Sequence, residues 1–185
     1  MAGYRYWQHF LALESDFSAT SRFVEFAPAN FKTFSVEYAK LLLAVGSEID
    51  VLCKVICGRI SPGARCGNID EYRVCLTSRG HIYSEEVLIR RYGLDFIPWA
   101  AWASGTNPTW WDSYNNVKHH RHVQFQEANL ENCVNAIAGL FVLVIYCHKA
   151  EASADELRPL PVLLGREREP GNLAHQADYT VEGFP

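Results

Sequence analysis

The chain has 185 residues, 49% of them hydrophobic and 21% charged, a balance ordinary for a single globular domain with a sizeable core. Seventeen Lys and Arg against 21 Asp and Glu leave a net charge of -4, which excludes a broad nucleic-acid-coating surface and leaves room only for a local cationic patch. Six cysteines without a Cys-x-x-Cys spacing, behind a start that lacks the apolar run of a secretory signal, predict a reducing cytoplasm, no disulfides and no zinc site.

Taken in chain order, residues 5–14 read as a short helix whose apolar contacts are Trp7, Phe10, Leu11 and Leu13. Residues 22–26 are rich in β-formers and predict a short strand, after which Pro28 and Asn30 break the chain. Residues 33–57 predict the first long helix, with Phe34, Tyr38, Leu41, Leu42, Val45, Ile49, Leu52 and Ile56 in steps of three and four. Asp50 and Lys54 lie opposite that stripe as a surface ion pair, while Glu48 flanks it and should be half-buried. Gly46 sits mid-helix at a propensity cost of about 1 kcal/mol, which close approach of a neighbouring helix would explain.

Residues 58–67 predict a loop. Asn68 followed by Glu71 reads as an N-cap with an acid three residues on, opening a short helix to about residue 77. Val87 and Ile89, then Leu94, Phe96 and Pro98, alternate on either side of Tyr92 and Gly93 and predict a small hairpin. A turn at 105–108 leads into a helix that begins at Pro108 or Thr109 and ends near His120. Residues 129–149 predict a second long helix, apolar nearly all round, which belongs at the centre of a bundle. Its apolar run is interrupted by Asn135 and falls short of the roughly 20 residues that a membrane span needs. Residues 151–185 change character, with Pro159, Pro161 and a charged run at 166–169. They read as a tail packed on the surface or partly disordered, tied down by Leu163, Leu164, Tyr179 and Phe184. The division expected is an N-terminal helix and short extended segment over 1–30, a helical bundle over 31–150, and the tail over 151–185.

The chemistry concentrates in residues 110–122, where two tryptophans are followed by two amides and a knot of Lys, Arg and His. On a helix Asp112, Asn116 and His120 share one face, which joins a carboxylate, an amide and an imidazole. An imidazole works as acid or base near neutral pH, and Lys118, Arg121 and His119 supply positive charge suited to a phosphodiester transition state. The same cations also fit a helix C-terminus stabilised by its dipole, with Trp110, Trp111, Tyr114 and Val117 as the buried side. A metal held by His119 and His122, or by His120 and His122, lacks a matched acid or cysteine, so no metal is expected. Trp99, Trp102, Trp110 and Trp111 fit a core better than a base-stacking platform. Glu48 either reaches Arg121 or a motif histidine across the helix interface, or stays a rim carboxylate in water.

Two long helices, expected antiparallel, with Asn115, Asn116 and His120 near the end of a third, resemble the HEPN superfamily of small α-helical bundles. Further points of resemblance are residues 34–38 and 47–54, Pro98, Trp99, Trp102, residues 110–121 and residues 128–130, so that it spans about residues 7–149. The fold implied is mainly α, a HEPN-like bundle with a small β-hairpin insertion. The activity implied is that of a metal-independent endoribonuclease or RNA-binding protein of a bacterial stress, toxin–antitoxin or anti-phage defence system. It would be cytoplasmic, off the membrane, without a cofactor, and a homodimer whose two motifs form one site. In that family an Arg precedes a polar residue and a His follows four to six residues after the Arg. Here Asn115 stands in the Arg position, Asn116 in the polar one, and Arg121 follows the His. By this resemblance His120, Asn116 and Asn115 are the catalytic positions, Lys118, Arg121 and His119 the phosphate contacts, and Glu48, Asp112 and Tyr114 their support. The rival expectation is a non-catalytic helical module that pairs with itself or another protein and uses the motif as a polar lock.

Overall fold

The computed structural model describes residues 4–63, 65–153 and 157–166. Helices dominate it: α1 (Arg5–Ala19), α2 (Val36–Ile60), α3 (Ile69–Thr77), α4 (Thr109–Gln124), α5 (Leu130–Cys147) and α6 (Lys149–Ser153). Strands β1 (Val87–Ile89) and β2 (Leu94–Phe96) form the expected antiparallel hairpin, with Val87 opposite Phe96 and Ile89 opposite Leu94. Gly93 takes the left-handed conformation (φ 62°) that closes its turn.

Helix α1 runs past its expected end because Glu14 and Phe17 are buried along with Trp7, Phe10 and Leu13. The hydroxyls of Thr20 and Ser21 then bond back to the carbonyls of Phe17 and Ser18, each at 2.7 Å, and close the helix into a turn. The strand expected over 22–26 does not form. Among the described residues no neighbouring strand offers these residues an edge, and β-preference without cross-strand packing is weak. Phe23 is 86% exposed, while Phe26 folds inward and stacks on Phe17 at 4.8 Å.

Helix α2 starts later than expected, at a cap: the Ser35 hydroxyl accepts the amide of Tyr38 at 3.0 Å. That leaves Phe34 outside the apolar stripe, half-exposed and bridged to Asn129. The two long helices are parallel, not antiparallel. Their starts meet where the Ser35 amide donates to Ala128 and the Leu130 amide donates to Thr33. Their ends meet where Arg59 Nη1 donates to the Cys147 carbonyl at 2.6 Å. Everything between them in sequence carries the chain back to the end from which α2 began.

Helix α5 is the axis of the core. Contrary to the expectation that it falls short of a membrane span, its 18 residues, with a mean hydropathy of 1.8, are long and apolar enough to cross a membrane, yet 83% of them are buried inside the protein. Gly139 lets two tryptophans approach it. A Cβ there would lie 3.2 Å from the Trp110 ring, and the Trp99 indole donates to the Gly139 carbonyl at 3.2 Å. Trp110 donates to the Pro98 carbonyl at 2.7 Å, and all four tryptophans of residues 99–111 are buried. Their faces are therefore closed to nucleic-acid bases.

Beyond α6 the chain returns to the hairpin, where Gly165 bridges Leu88 and Leu163 and Leu164 are buried. The fully buried Glu14 accepts the amides of Val162, Leu163 and Leu164 at 3.0, 2.7 and 2.9 Å, which fixes this segment against α1. Tyr179, Phe184 and residues 167–169 of the charged run lie outside the described residues.

A candidate cationic site at the end of helix α4

The first half of α4 is a packing surface. Trp110, Trp111, Tyr114 and Val117 are buried, and the Tyr114 ring lies only 2.4 Å from where a Cβ on Gly46 would stand. That close approach accounts for a glycine in the middle of α2. The amides of the motif are engaged. Asn115 Nδ2 donates to the Trp111 carbonyl one turn back, at 3.0 Å. Asn116 Nδ2 donates to both carboxylate oxygens of Glu127, at 3.2 and 3.1 Å. Asn132 in turn holds the Glu127 carbonyl at 2.8 Å.

Helical geometry is interrupted at His120, whose backbone takes φ -131° and ψ 26°, and the helix resumes to Gln124. The face expected to join Asp112, Asn116 and His120 does not assemble as a bonded set. Asp112 is exposed; partial burial pushes its carboxyl up from the ordinary range, and nearby Glu127 and Asp70 add to the effect. His120 is exposed rather than sealed beneath Trp110 or Trp111, and the nearest ring is that of His119 at 6.3 Å. Among the described residues it has no hydrogen-bond partner. Glu48 is half-buried as expected but meets neither Arg121 nor a motif histidine. It pairs with His9 Nδ1 of α1 at 3.2 Å, because α1 covers that side of α2.

Around the interruption the cations do converge. A surface cleft of about 560 Å³ is lined by Leu43, Val117, Phe125, Lys118, His119, Arg121 and His122, with no acidic side chain among them. Lys118 is steadied from the buried side, with Nζ 3.3 Å from the Tyr114 hydroxyl and 5.4 Å from the ring centroid. Arg121, His119 and His122 have no hydrogen-bond or ion-pair partner among the described residues. Their donors face water, and the apolar floor holds no group that competes for them. Such a lining can grip a phosphate through a guanidinium and an ammonium while two imidazoles stand within the same cleft.

Of the lining residues, Leu43 and Phe125 were missed in the sequence and His122 was weighed there only as a metal ligand; the missed partner of the motif is Glu127. Leu43 carried a faint signal as an apolar residue off the buried stripe of α2. Glu127 carried none, since it belongs to the turn after α4 and no helix periodicity reaches it. The three histidines do not form a metal-ligand set. Among the described residues the one set of three potential ligands is Cys57, Cys66 and Cys75, elsewhere in the fold.

Comparison with protein-family models, with curated proteins and with solved structures found no match to this chain.

Proposed function

We propose that the chain is a HEPN-like RNA-binding protein that takes the RNA sugar–phosphate backbone in the cleft at the end of α4, with metal-independent cleavage as its chemistry. The observation that carries this reading is the convergence of Lys118, Arg121, His119 and His122 on one acid-free cleft. Asn115 cannot supply the charge and paired donors of an arginine, and here it bonds its own helix. Arg121 and Lys118, which line the cleft, supply those donors instead. The parallel course of α2 and α5 departs from the arrangement expected of the family, so the reading rests on the cleft and not on the bundle.

In the proposed reaction the RNA 2′-hydroxyl attacks the adjacent phosphorus. One imidazole removes its proton and another protonates the leaving 5′-oxygen, so a 2′-O–P bond forms as the P–5′-O bond breaks. His119 and His122 line the cleft and His120 stands beside it, and these three are the candidates for the two roles. Lys118 and Arg121 would offset the charge that builds on the phosphate.

The test is binding and cleavage of a mixed RNA pool in EDTA by the full chain. Lys118→Ala and Arg121→Ala are expected to weaken binding across all sequences, and each to lower the salt slope by about one. Single alanine substitutions at His119, His120 and His122 then assign the acid and the base. Binding that survives the loss of both cations would overturn the reading. Binding without cleavage would leave an RNA-binding protein without nuclease chemistry.

One observation favours the rival module, and for Asn116 only. Its two bonds to Glu127 are those of a polar lock between α4 and the turn before α5. A lock there is compatible with RNA in the cleft, because Asn116 does not line it.

A further inference from the structure

Three cysteines spaced nine residues apart in sequence meet at one point in space. Cys57 lies near the end of α2, Cys66 in the following loop and Cys75 on α3. Their sulfurs all lie within 4.8 Å of one another. Cys57 is buried, and Cys66 and Cys75 are half-buried, so the cluster has a closed base and a reachable mouth. We propose that Cys57, Cys66 and Cys75 form a three-thiolate site for a single zinc-class cation, with the fourth coordination position open to water.

The scaffold around the cluster is already in place. Asn68 caps α3 by accepting the amides of Asp70 and Glu71 at 3.1 and 3.0 Å. The Glu71 carboxylate reaches back to the Gly67 amide at 2.6 Å and fixes the residue next to Cys66. Tyr72 is fully buried, and its hydroxyl donates to Asp50 of α2 at 2.8 Å, which pins α3, and with it Cys75, against the helix that carries Cys57. The cluster therefore rests on two helices and a clamped loop. Zinc–sulfur bonds of about 2.3 Å set sulfurs roughly 3.8 Å apart in a tetrahedron, no more than about 1 Å inside the 4.8 Å within which these sulfurs lie.

The thiols do not resemble a catalytic nucleophile. Burial, first of all, pushes the Cys57 and Cys75 thiols up, and their thiol neighbours push Cys57 further. A divalent ion displaces the thiol proton: each ligating thiol releases one to solvent as its sulfur–metal bond forms, and no electron is transferred. A set of three soft donors without a carboxylate or imidazole selects a thiophilic d¹⁰ ion over magnesium or calcium. Nothing here depends on the RNA reading of α4, and the two fail separately.

The experiment is a titration of the fully reduced, full-length protein with Co²⁺ as probe, followed by displacement with Zn²⁺. The expected result is one Co²⁺ per chain with the intense visible and charge-transfer bands of tetrahedral cobalt thiolate, quenched by Zn²⁺, with proton release and weaker binding as pH falls. Loss of an outer-shell partner already costs 10–100-fold in affinity, so Cys66→Ser, which removes a ligand in a loop, should cost about 100-fold or more. Circular dichroism would show that variant still folded. His119→Ala with His122→Ala should bind cobalt as wild type does. The proposal is overturned if no thiolate bands appear, if Cys66→Ser and Cys75→Ser bind like wild type, or if the histidine double variant is the one that loses the metal. A protein that binds no metal when reduced and joins two of the three cysteines in a disulfide in air would overturn it as well.

Discussion

Along α4 an aromatic half and a cationic half meet at His120, and they answer to different constraints. Trp110, Trp111, Tyr114 and Val117 are held by α2, α5 and the segment around Pro98, with Gly46 and Gly139 cleared to admit the rings. His119, His120, Arg121 and His122 touch almost nothing, and all are exposed. The first half positions the second without depending on it. Stability and any activity of the cleft should therefore separate cleanly by mutation.

The sharpest way to break that division is in the aromatic half. Trp110→Ala should destabilise the fold by about 3–5 kcal/mol, read from the urea midpoint, through lost contacts on Gly139 and Trp99. Gly46→Ala should cost about 1–3 kcal/mol by forcing the Tyr114 ring aside, less a gain of up to about 1 kcal/mol in helix propensity. A higher melting temperature for that variant would mean that the ring swings away freely. Next comes the junction: Asn116→Ala should cost about 1–2 kcal/mol, and a double-mutant cycle with Glu127→Ala should return a coupling near 1 kcal/mol. At the cationic end, His120→Ala should move stability by no more than about 0.5 kcal/mol, since nothing buried is left unpaired. A loss of 2 kcal/mol in that last variant would mean that the two halves are coupled after all.

Local signals were readable in sequence and long-range ones were not. The Asn68 cap, the hairpin about Gly93, the Lys54–Asp50 pair and the need for a close neighbour at Gly46 each follow from residues a few positions apart, and each is present. The same local logic failed at residues 22–26, where β-preference had no partner strand to act on. It also failed at the two long helices, whose parallel course is set by contacts between residues 31–35 and 128–131. In the motif, helix periodicity placed Asp112, Asn116 and His120 on one face. The partners that decide what they do are Glu127, Asp70 and open water, none of them on that helix. Glu48 was expected either to reach α4 or to stay a rim carboxylate in water; it does neither, because α1 covers that side of α2 and supplies His9. The three thiols escaped notice because a spacing of nine residues belongs to no familiar ligand motif; only the fold-back of α3 on α2 brings them together.

The Glu14 carboxylate has a consequence for how the chain is made. Its three amide donors lie 148, 149 and 150 residues downstream, so a ribosome delivers the acceptor long before its partners. Until residues 162–164 clear the exit tunnel, α1 can close onto α5 only by burying a bare carboxylate, which the apolar interior resists. Helix α1 is then among the last of the described elements to settle. A released chain truncated before Val162 should leave α1 open to proteases, and one extended past Leu164 should close it.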